Sequence, residues 1–421
     1  MSIKSKFVLK SVLLVYICMM MSCINTIADK QIDKVFEKDA INLQHFNHLY
    51  KEINVNGDTL GIVHIYSEYP NYAYAIEPSE GFTCVDDVAR AIVMLSEYYK
   101  TGEDTKEIMR KIKMLIKFIL HLQNDNGYFN NFLWNDFTIN TTYQTSVAEL
   151  NWWSFRALWA LETAFPLISD NPVLSKKVQI AVARLVVNIK TDLGTQELRV
   201  DTVNTLAIPS WLPHQYAADQ AAVLILGLLP FQSRTGDPEV KNLIDKLAKG
   251  IMLMQKGDAV QYPYGAFLSW ENLWHAWGNS QAYALLKAGH QFNNEDYIKS
   301  ALVEIDYFYP YLLKNGFAEA FWIEKDHDHF IETKRNSFPQ IAYGIRPMVW
   351  ASTEAYQITY NKVYLDLSKD LKSWFFKNNV AKTTMYHATT GRGYDGINSN
   401  EGINKNSGAE STIECLLTLL K

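Results

Sequence analysis

Carboxylates, tryptophans and a histidine recur in this 421-residue chain where long helical stretches begin, and their spacing limits what they can do. The first such point is GFTCVDDVARA, residues 81–91. Thr83 followed by Asp86 has the spacing of a capping box, which alone would account for Asp86. Asp87 is surplus to a cap, and Arg90 stands one turn beyond Asp86, as in a plain Asp–Arg pair. Two adjacent carboxylates at a helix N-terminus lie where the macrodipole favours negative charge. That suits an ionised base and opposes a general acid unless burial raises its pKa.

Three further segments have the same character. In TSVAELNWWSFRALWAL (145–161), Glu149 opens a predicted helix and shares one narrow arc with Trp152, Trp153 and Arg156. The plain alternative is a Glu149–Arg156 ion pair beside core tryptophans. In PYGAFLSWENLWHAWGNSQAYALL (263–286), Trp270, Glu271, Trp274, His275, Trp277 and Asn279 form the densest aromatic and polar cluster of the chain. Aromatic walls with a few convergent polar groups describe a small-ligand pocket, against which stands a satisfied buried histidine. In residues 390–420, Arg392, Tyr394 and Asp395 sit among glycines that allow close backbone approach to a ligand, and Ser407 with Glu410 repeats the capping-box spacing. Glu414 follows one turn later, and Arg346 lies in YGIRPMVW. There is no phosphate loop, dinucleotide fingerprint, G-x-S-x-G elbow or HExxH helix.

These residues are carried by a chain that alternates helical stretches with Gly/Asn/Pro/Trp-rich loops. The pattern predicts twelve helices, near 36–54, 84–101, 104–123, 146–165, 172–191, 213–231, 237–255, 273–290, 294–313, 338–359, 362–376 and 407–420. Residues 104–123 and 237–255 are amphipathic, whereas 146–165, 273–290 and 338–359 are apolar on most sides and must be buried. Burying every second helix puts six inside and six outside in a ring. Long loops at 56–83, 124–145, 192–212, 257–272, 314–337 and 377–406 each precede an inner helix and converge at one end, with a two-stranded hairpin expected inside 58–77. A helical solenoid is the alternative, without a short repeat motif to support it.

This pattern resembles the all-α six-hairpin (α/α)6 toroid shared by many glycosidases and several polysaccharide lyases, over 36–421. Asp86 to Ala91 resembles an Asp-Asp-x-Ala-Arg-Ala signature of toroid-type domains from bacterial carbohydrate loci, and GAESTIE (408–414) resembles their closing helix. The 62 residues between Asp87 and Glu149 match one toroid hairpin. That is similar to the two-acid layout of unsaturated glucuronyl hydrolases, although their flanking motifs are absent. In a closed ring the last inner helix sits beside the first, so Glu410 is expected to face Asp87.

The amino terminus reads as an export signal: Lys4, Lys6 and Lys10, then the apolar run Val12 to Met21, then Ser22-Cys23. Ten apolar residues are too few for a permanent span. Residues 20–23 resemble a bacterial lipobox with lipidation at Cys23, the alternative being cleavage near Ala28. The expectation is a signal peptide at 1–22, a tether at 23–35 and an exported lipoprotein, periplasmic or at the cell surface, held to the membrane through its lipid alone. Of four cysteines, Cys84 and Cys415 remain in the mature chain, too few for a disulfide framework and without metal-type spacing.

The formal charge of −5, without a dense Lys/Arg run beyond the first ten residues, excludes a nucleic-acid partner. The 11 Trp, 24 Tyr and 20 Phe suit stacking on sugar C–H faces. The leading reading is a monomeric, cofactor-free and metal-free glycoside hydrolase on an oligo- or polysaccharide. It would work by inversion, drawing its acid and base from Asp87, Glu149, Glu410 and Asp86. Glu149 or Glu410 is assigned as acid and Asp87 as base. Trp153, Trp270 and Trp277 would be stacking platforms, with Glu271, His275, Arg346, Arg392, Tyr394 and Asp395 as substrate contacts. A lyase on a uronate glycan would use His275 or Tyr264 as base with Asn279 and Arg346 neutralising the carboxylate. A non-catalytic glycan-binding lipoprotein leaves the carboxylates unexplained.

Overall fold

The computed structural model describes residues 41–421; the leader, Cys23, the tether and the start of the first expected helix lie outside the described residues. Thirteen α-helices follow one another along the described residues. They are α1 (Gln44–Leu49), α2 (Val85–Tyr99), α3 (Thr105–His121), α4 (Trp152–Ala164), α5 (Pro172–Gly194), α6 (Ala218–Thr235) and α7 (Pro238–Leu253). There follow α8 (Gln281–Phe292), α9 (Glu295–Val303), α10 (Tyr309–Asn315), α11 (Ala342–Thr359), α12 (Lys362–Lys372) and α13 (Ala409–Leu419).

The helices form the expected toroid. Packing runs α2 to α4, α6, α8, α11 and α13, and α13 returns to α2, so six inner helices close a ring. Outside them stand α3, α5, α7, the α9–α10 pair joined by a π-helical turn at Glu304–Phe308, and α12. The division follows composition. On α3, Ile108, Ile112, Leu115 and Ile119 bury one stripe while charged residues take the rest, whereas α11 is buried continuously from Ala342 to Ala355. Inner helices approach closely where side chains are small. A Cβ added at Gly227 of α6 would stand 2.8 Å from Leu158 and 2.9 Å from the Trp159 nitrogen of α4.

The structure corrects the first helix. Within 41–54 only Gln44–Leu49 is helical, and Tyr50–Val55 is a strand paired with Asp58–Val63. Asn56 and Gly57 take φ of 53° and 88°, the two positive values that an Asn-Gly hairpin turn requires. This hairpin lies against α3, and α1 packs on α13, so together they occupy the place of the sixth outer helix. A second hairpin, Tyr66–Glu68 with Ala73–Ala75, falls inside the span expected for one. The helix expected from 273 also starts later. Leu273–His275 is the edge of a three-stranded sheet with Ala320–Asp326 and His329–Asn336, and α8 begins at Gln281.

Candidate functional site

At the loop-bearing end, α2 is started by Cys84, not by a capping box. The Cys84 backbone is extended, its Sγ accepts from the Asp87 amide at 3.4 Å, and the Thr83 hydroxyl has no partner among the described residues. Asn131 steadies the same turn. Its carbonyl accepts from the Val85 amide at 2.8 Å, and its side-chain oxygen accepts from the Asp86 amide at 3.1 Å. Ser407 is likewise no cap, since its hydroxyl meets that of Thr412 at 3.2 Å and Gly408 stands at the cap position of α13.

Arg90 ties the first and last inner helices together. Its Nη1 donates to Asp87 at 2.7 Å and its Nη2 to Glu410 at 2.7 Å, and its Nε lies 3.2 Å from Glu414. Glu414, fully buried, also accepts from Arg346 Nε at 2.6 Å. Asp86 turns the other way and pairs with Arg156 of α4 at 2.7 Å. The Glu149–Arg156 pair considered from the sequence is replaced by this one.

Tyr343 lies at the centre. Its ring has the guanidinium groups of Arg90, Arg156 and Arg346 4.8, 5.3 and 5.4 Å from its centroid, and its hydroxyl accepts from Arg156 at 2.7 Å. In the ring order α4 and α11 are opposite, so the Arg156–Tyr343 bond crosses the axis and closes the floor of the funnel.

Above this floor opens a cavity of about 320 Å³ whose walls include Tyr66, Glu80, Asp86, Asp87, Asp395 and Glu410. The Tyr66 hydroxyl donates to Glu80 at 2.6 Å, and Asp395 accepts from the Gly408 amide at 3.0 Å and the Ser411 hydroxyl at 2.7 Å. The carboxyls differ in access. The Asp87 side chain is 4% exposed, with one oxygen on Arg90 and the other facing the Cys84 thiol at 3.4 Å; that of Asp86 is 19% and that of Glu410 41% exposed. Although one side of Glu410 is open, the protein packed about its carboxyl partly strips it of water and raises its pKa, against the pull of Arg90 and with Asp87 adding to the rise. Asp87 is raised by burial with Arg90 opposing, and Asp395 by burial with its two hydrogen bonds opposing.

A second group lies on the α6–α8 side. His275 Nε2 is 2.9 Å from Asp219 of α6, and its ring stacks on Trp277 at 3.8 Å. Trp277 is 36% exposed, and Trp270 stands edge-on to Tyr216 at 5.9 Å. Glu271 is partly exposed in a positive-φ turn between them.

The structure thus brings Asp86, Asp87, Asp395 and Glu410 to one cavity and Trp270, Glu271, His275 and Trp277 to another wall. It leaves three expected residues elsewhere. Glu149 precedes α4, whose cap is Asn151, and accepts from the Asn151 side chain at 3.0 Å instead of joining the Arg156 face. Trp153 is no platform, because its indole is buried and its N–H donates to the Phe129 carbonyl at 2.7 Å. Arg346 lies beneath the floor, committed to Glu414. Arg392 stacks on Tyr72 at 3.9 Å and Tyr394 packs on His387 at 5.0 Å, both on the loop that carries Asp395. Cys84 and Cys415 are buried and unbonded. The sequence reading missed Tyr343, Asp219, Glu80 and Tyr66. Only Asp219, an acid in an apolar helix start, carried a signal of its own.

No family model matches the sequence, and neither does any curated protein. Among solved structures the chain is similar to a cellobiose 2-epimerase from Bacillus thermoamylovorans (12% identity, TM-score 0.64, 93% of this chain and 99% of that one). It is also similar to a sugar epimerase from a ruminal bacterium (11%, 0.60, 93% and 97%). A third likeness is to a family 76 glycoside hydrolase from a bovine Bacteroides thetaiotaomicron strain (11%, 0.59, 91% and 77%). With the closed ring of inner helices, these likenesses identify the fold as an (α/α)6 toroid.

Proposed function

We propose that this protein is a carbohydrate-active enzyme, specifically a glycoside hydrolase, exported and lipid-anchored through Cys23. The observation that carries the catalytic reading is the acid-lined cavity over a floor of paired guanidinium groups, at the mouth of a toroid. The neighbours described as sugar epimerases and a glycoside hydrolase support a saccharide as substrate.

Acetal cleavage needs a protonated carboxyl at the leaving oxygen and a carboxylate that activates water. Glu410 suits the acid, being reachable from one side and raised in pKa by partial loss of solvent. Asp86, accessible and ion-paired to Arg156, suits the base. Asp87 is better suited to positioning, because both its oxygens are engaged and it holds Arg90 against Glu410. The test is release of new reducing ends from a panel of neutral, amino and uronic-acid oligosaccharides. Activity on one class that is lost in Asp86→Asn and Glu410→Gln supports the reading; full activity in both variants overturns it.

A second reading is favoured by the His275–Asp219 pair, a base held by a carboxylate beside an exposed indole, which suits proton transfer at a carbon next to a carbonyl. An epimerase would exchange that carbon-bound hydrogen with D₂O and release no reducing ends, and His275→Asn would abolish the exchange. The lyase reading loses its expected neutralising cation, since Arg346 is held by Glu414.

A further inference from the structure

We infer that the mouth-side ends of α6 and α8 form a subsite for an uncharged, hydroxyl-rich sugar ring, bound by Gln220, Asn279 and Gln281 against Trp277. This rests on the carbohydrate reading above and adds the part of the funnel, and the class of sugar, that the acid cavity does not define.

The observation is a concentration of unpaired polar groups. Gln220 lies in the first turn of α6, Gln281 opens α8, and Asn279 and Ser280 immediately precede it. All four residues are more than nine-tenths buried. Yet Gln220 Oε1, Asn279 Nδ2, Ser280 Oγ and both amide atoms of Gln281 have no hydrogen-bond partner among the described residues, and neither has His275 Nδ1. Buried polar side chains are nearly always paired, so several orphans on two adjacent helix ends mark groups kept for something outside the chain.

Their position is axial. A Cβ at Gly278 would stand 2.9 Å from the Trp152 ring of α4 and 3.2 Å from the Tyr343 hydroxyl of α11. Since α4 is not a neighbour of α8 in the ring, the segment before α8 meets it only by leaning over the centre. Gly278, at φ 71°, makes that approach possible. The start of α8 therefore reaches the Trp152, Tyr343 and Arg156 cluster, whose Arg156 pairs on its other side with Asp86 of the acid cavity.

The chemistry selects the ligand. An amide offers a donor and an acceptor together, which matches a hydroxyl, and Trp277 offers a face to ring C–H groups. A uronate would need a cation, but the guanidinium groups nearby, Arg156 and Arg90, are already paired with Asp86, Asp87 and Glu410. The charged groups on this wall are acids, Asp219, engaged by His275, and the partly exposed Glu271, neither of which would attract a uronate.

The test uses the purified protein, with Gln220→Leu and Gln281→Leu. Because leucine removes an amide without a partner, unfolding temperatures should stay level or rise, whereas an amide with a structural role would lower them. KM for neutral oligosaccharides should rise about tenfold or more, with kcat within about threefold, as expected for lost ground-state contacts. In affinity electrophoresis the Glu410→Gln protein should be retarded by a neutral glycan, and adding Gln281→Leu should abolish the retardation. Unchanged KM in both leucine variants, a lowered melting temperature with unchanged KM, or wild-type turnover confined to uronate glycans overturns the inference. If Glu410→Gln loses turnover while Gln281→Leu matches wild type, the subsite fails and the enzymatic reading stands. If the wild type neither turns over nor binds any sugar of the panel, both fail.

Discussion

The two sides of the funnel floor handle polarity in opposite ways. Along the α2–α13 seam the buried charges meet counter-charges: Arg90 touches three carboxylates, Glu414 two guanidinium groups, and Asp86 has Arg156. On the α6–α8 side the buried amides have no partner among the described residues. A paired network of this kind is rigid and holds its members in fixed geometry, whereas unpaired buried amides are costly to the fold, a cost that a hydroxyl ligand reaching them would relieve. The difference suggests a division of labour, with chemistry at the seam and recognition opposite.

The sharpest way to break this division is at Glu410, the seam's most exposed carboxyl. Glu410→Gln should lower turnover by about a hundredfold or more, the usual scale for losing a general acid, while melting temperature changes little. The sign of the pH effect follows from its raised pKa. The acid form is the working form, so kcat/KM should fall as pH rises through that pKa, later than for an ordinary glutamate. A pH–rate profile whose alkaline limb is unmoved in Glu410→Asp would separate Glu410 from the chemistry.

Much of this seam was legible beforehand, for a physical reason. Asp86, Asp87 and Arg90 sit on one helix, so their spacing fixes their relation, and Glu410 follows once the ring is closed. Tyr343 was not legible, because its role depends on guanidinium groups from three helices meeting at the axis. Glu149 was misplaced because helical periodicity was extended upstream of its real cap, Asn151, into a loop whose conformation Ser146 and Asn130 decide. The Asn56-Gly57 dipeptide falls inside the loop expected at 56–83, so the strand before it reads as the end of the helix expected over 36–54.

A smaller effect is expected on stability. Glu414→Gln leaves Arg346 buried against a neutral amide, and breaking a buried pair in this way costs about 3–5 kcal/mol. Thermal unfolding should move down by several degrees. An unchanged melting temperature would mean that the seam's pairing does not hold the ring closed.

Glu304 provides the contrasting case, a fully buried carboxyl with only neutral donors, the Phe267 amide at 2.8 Å and the Tyr309 hydroxyl at 3.1 Å. Burial lifts its pKa from 4.5 to about 8. The folded protein then holds a proton that the unfolded chain releases, so stability is complete below pH 4.5 and falls as pH rises towards 8. Glu304→Gln should flatten that decline, a relative gain on the order of a few kcal/mol at alkaline pH with none at pH 4. Parallel melting-temperature profiles for the two proteins would show instead that Glu304 does not control it.

The mildest test is at Trp277, which sits on the recognition side without making a bond of its own. Its ring is supported from beneath by His275, so removing it takes away a surface and leaves the His275–Asp219 pair. Trp277→Ala should raise KM for a neutral oligosaccharide about three- to tenfold, in keeping with ~1 kcal/mol for an exposed stacking contact, with kcat nearly unchanged. If kcat falls instead and KM holds, the α6–α8 side takes part in the chemical step. The division between seam and opposite wall would then give way to the His275–Asp219 reading.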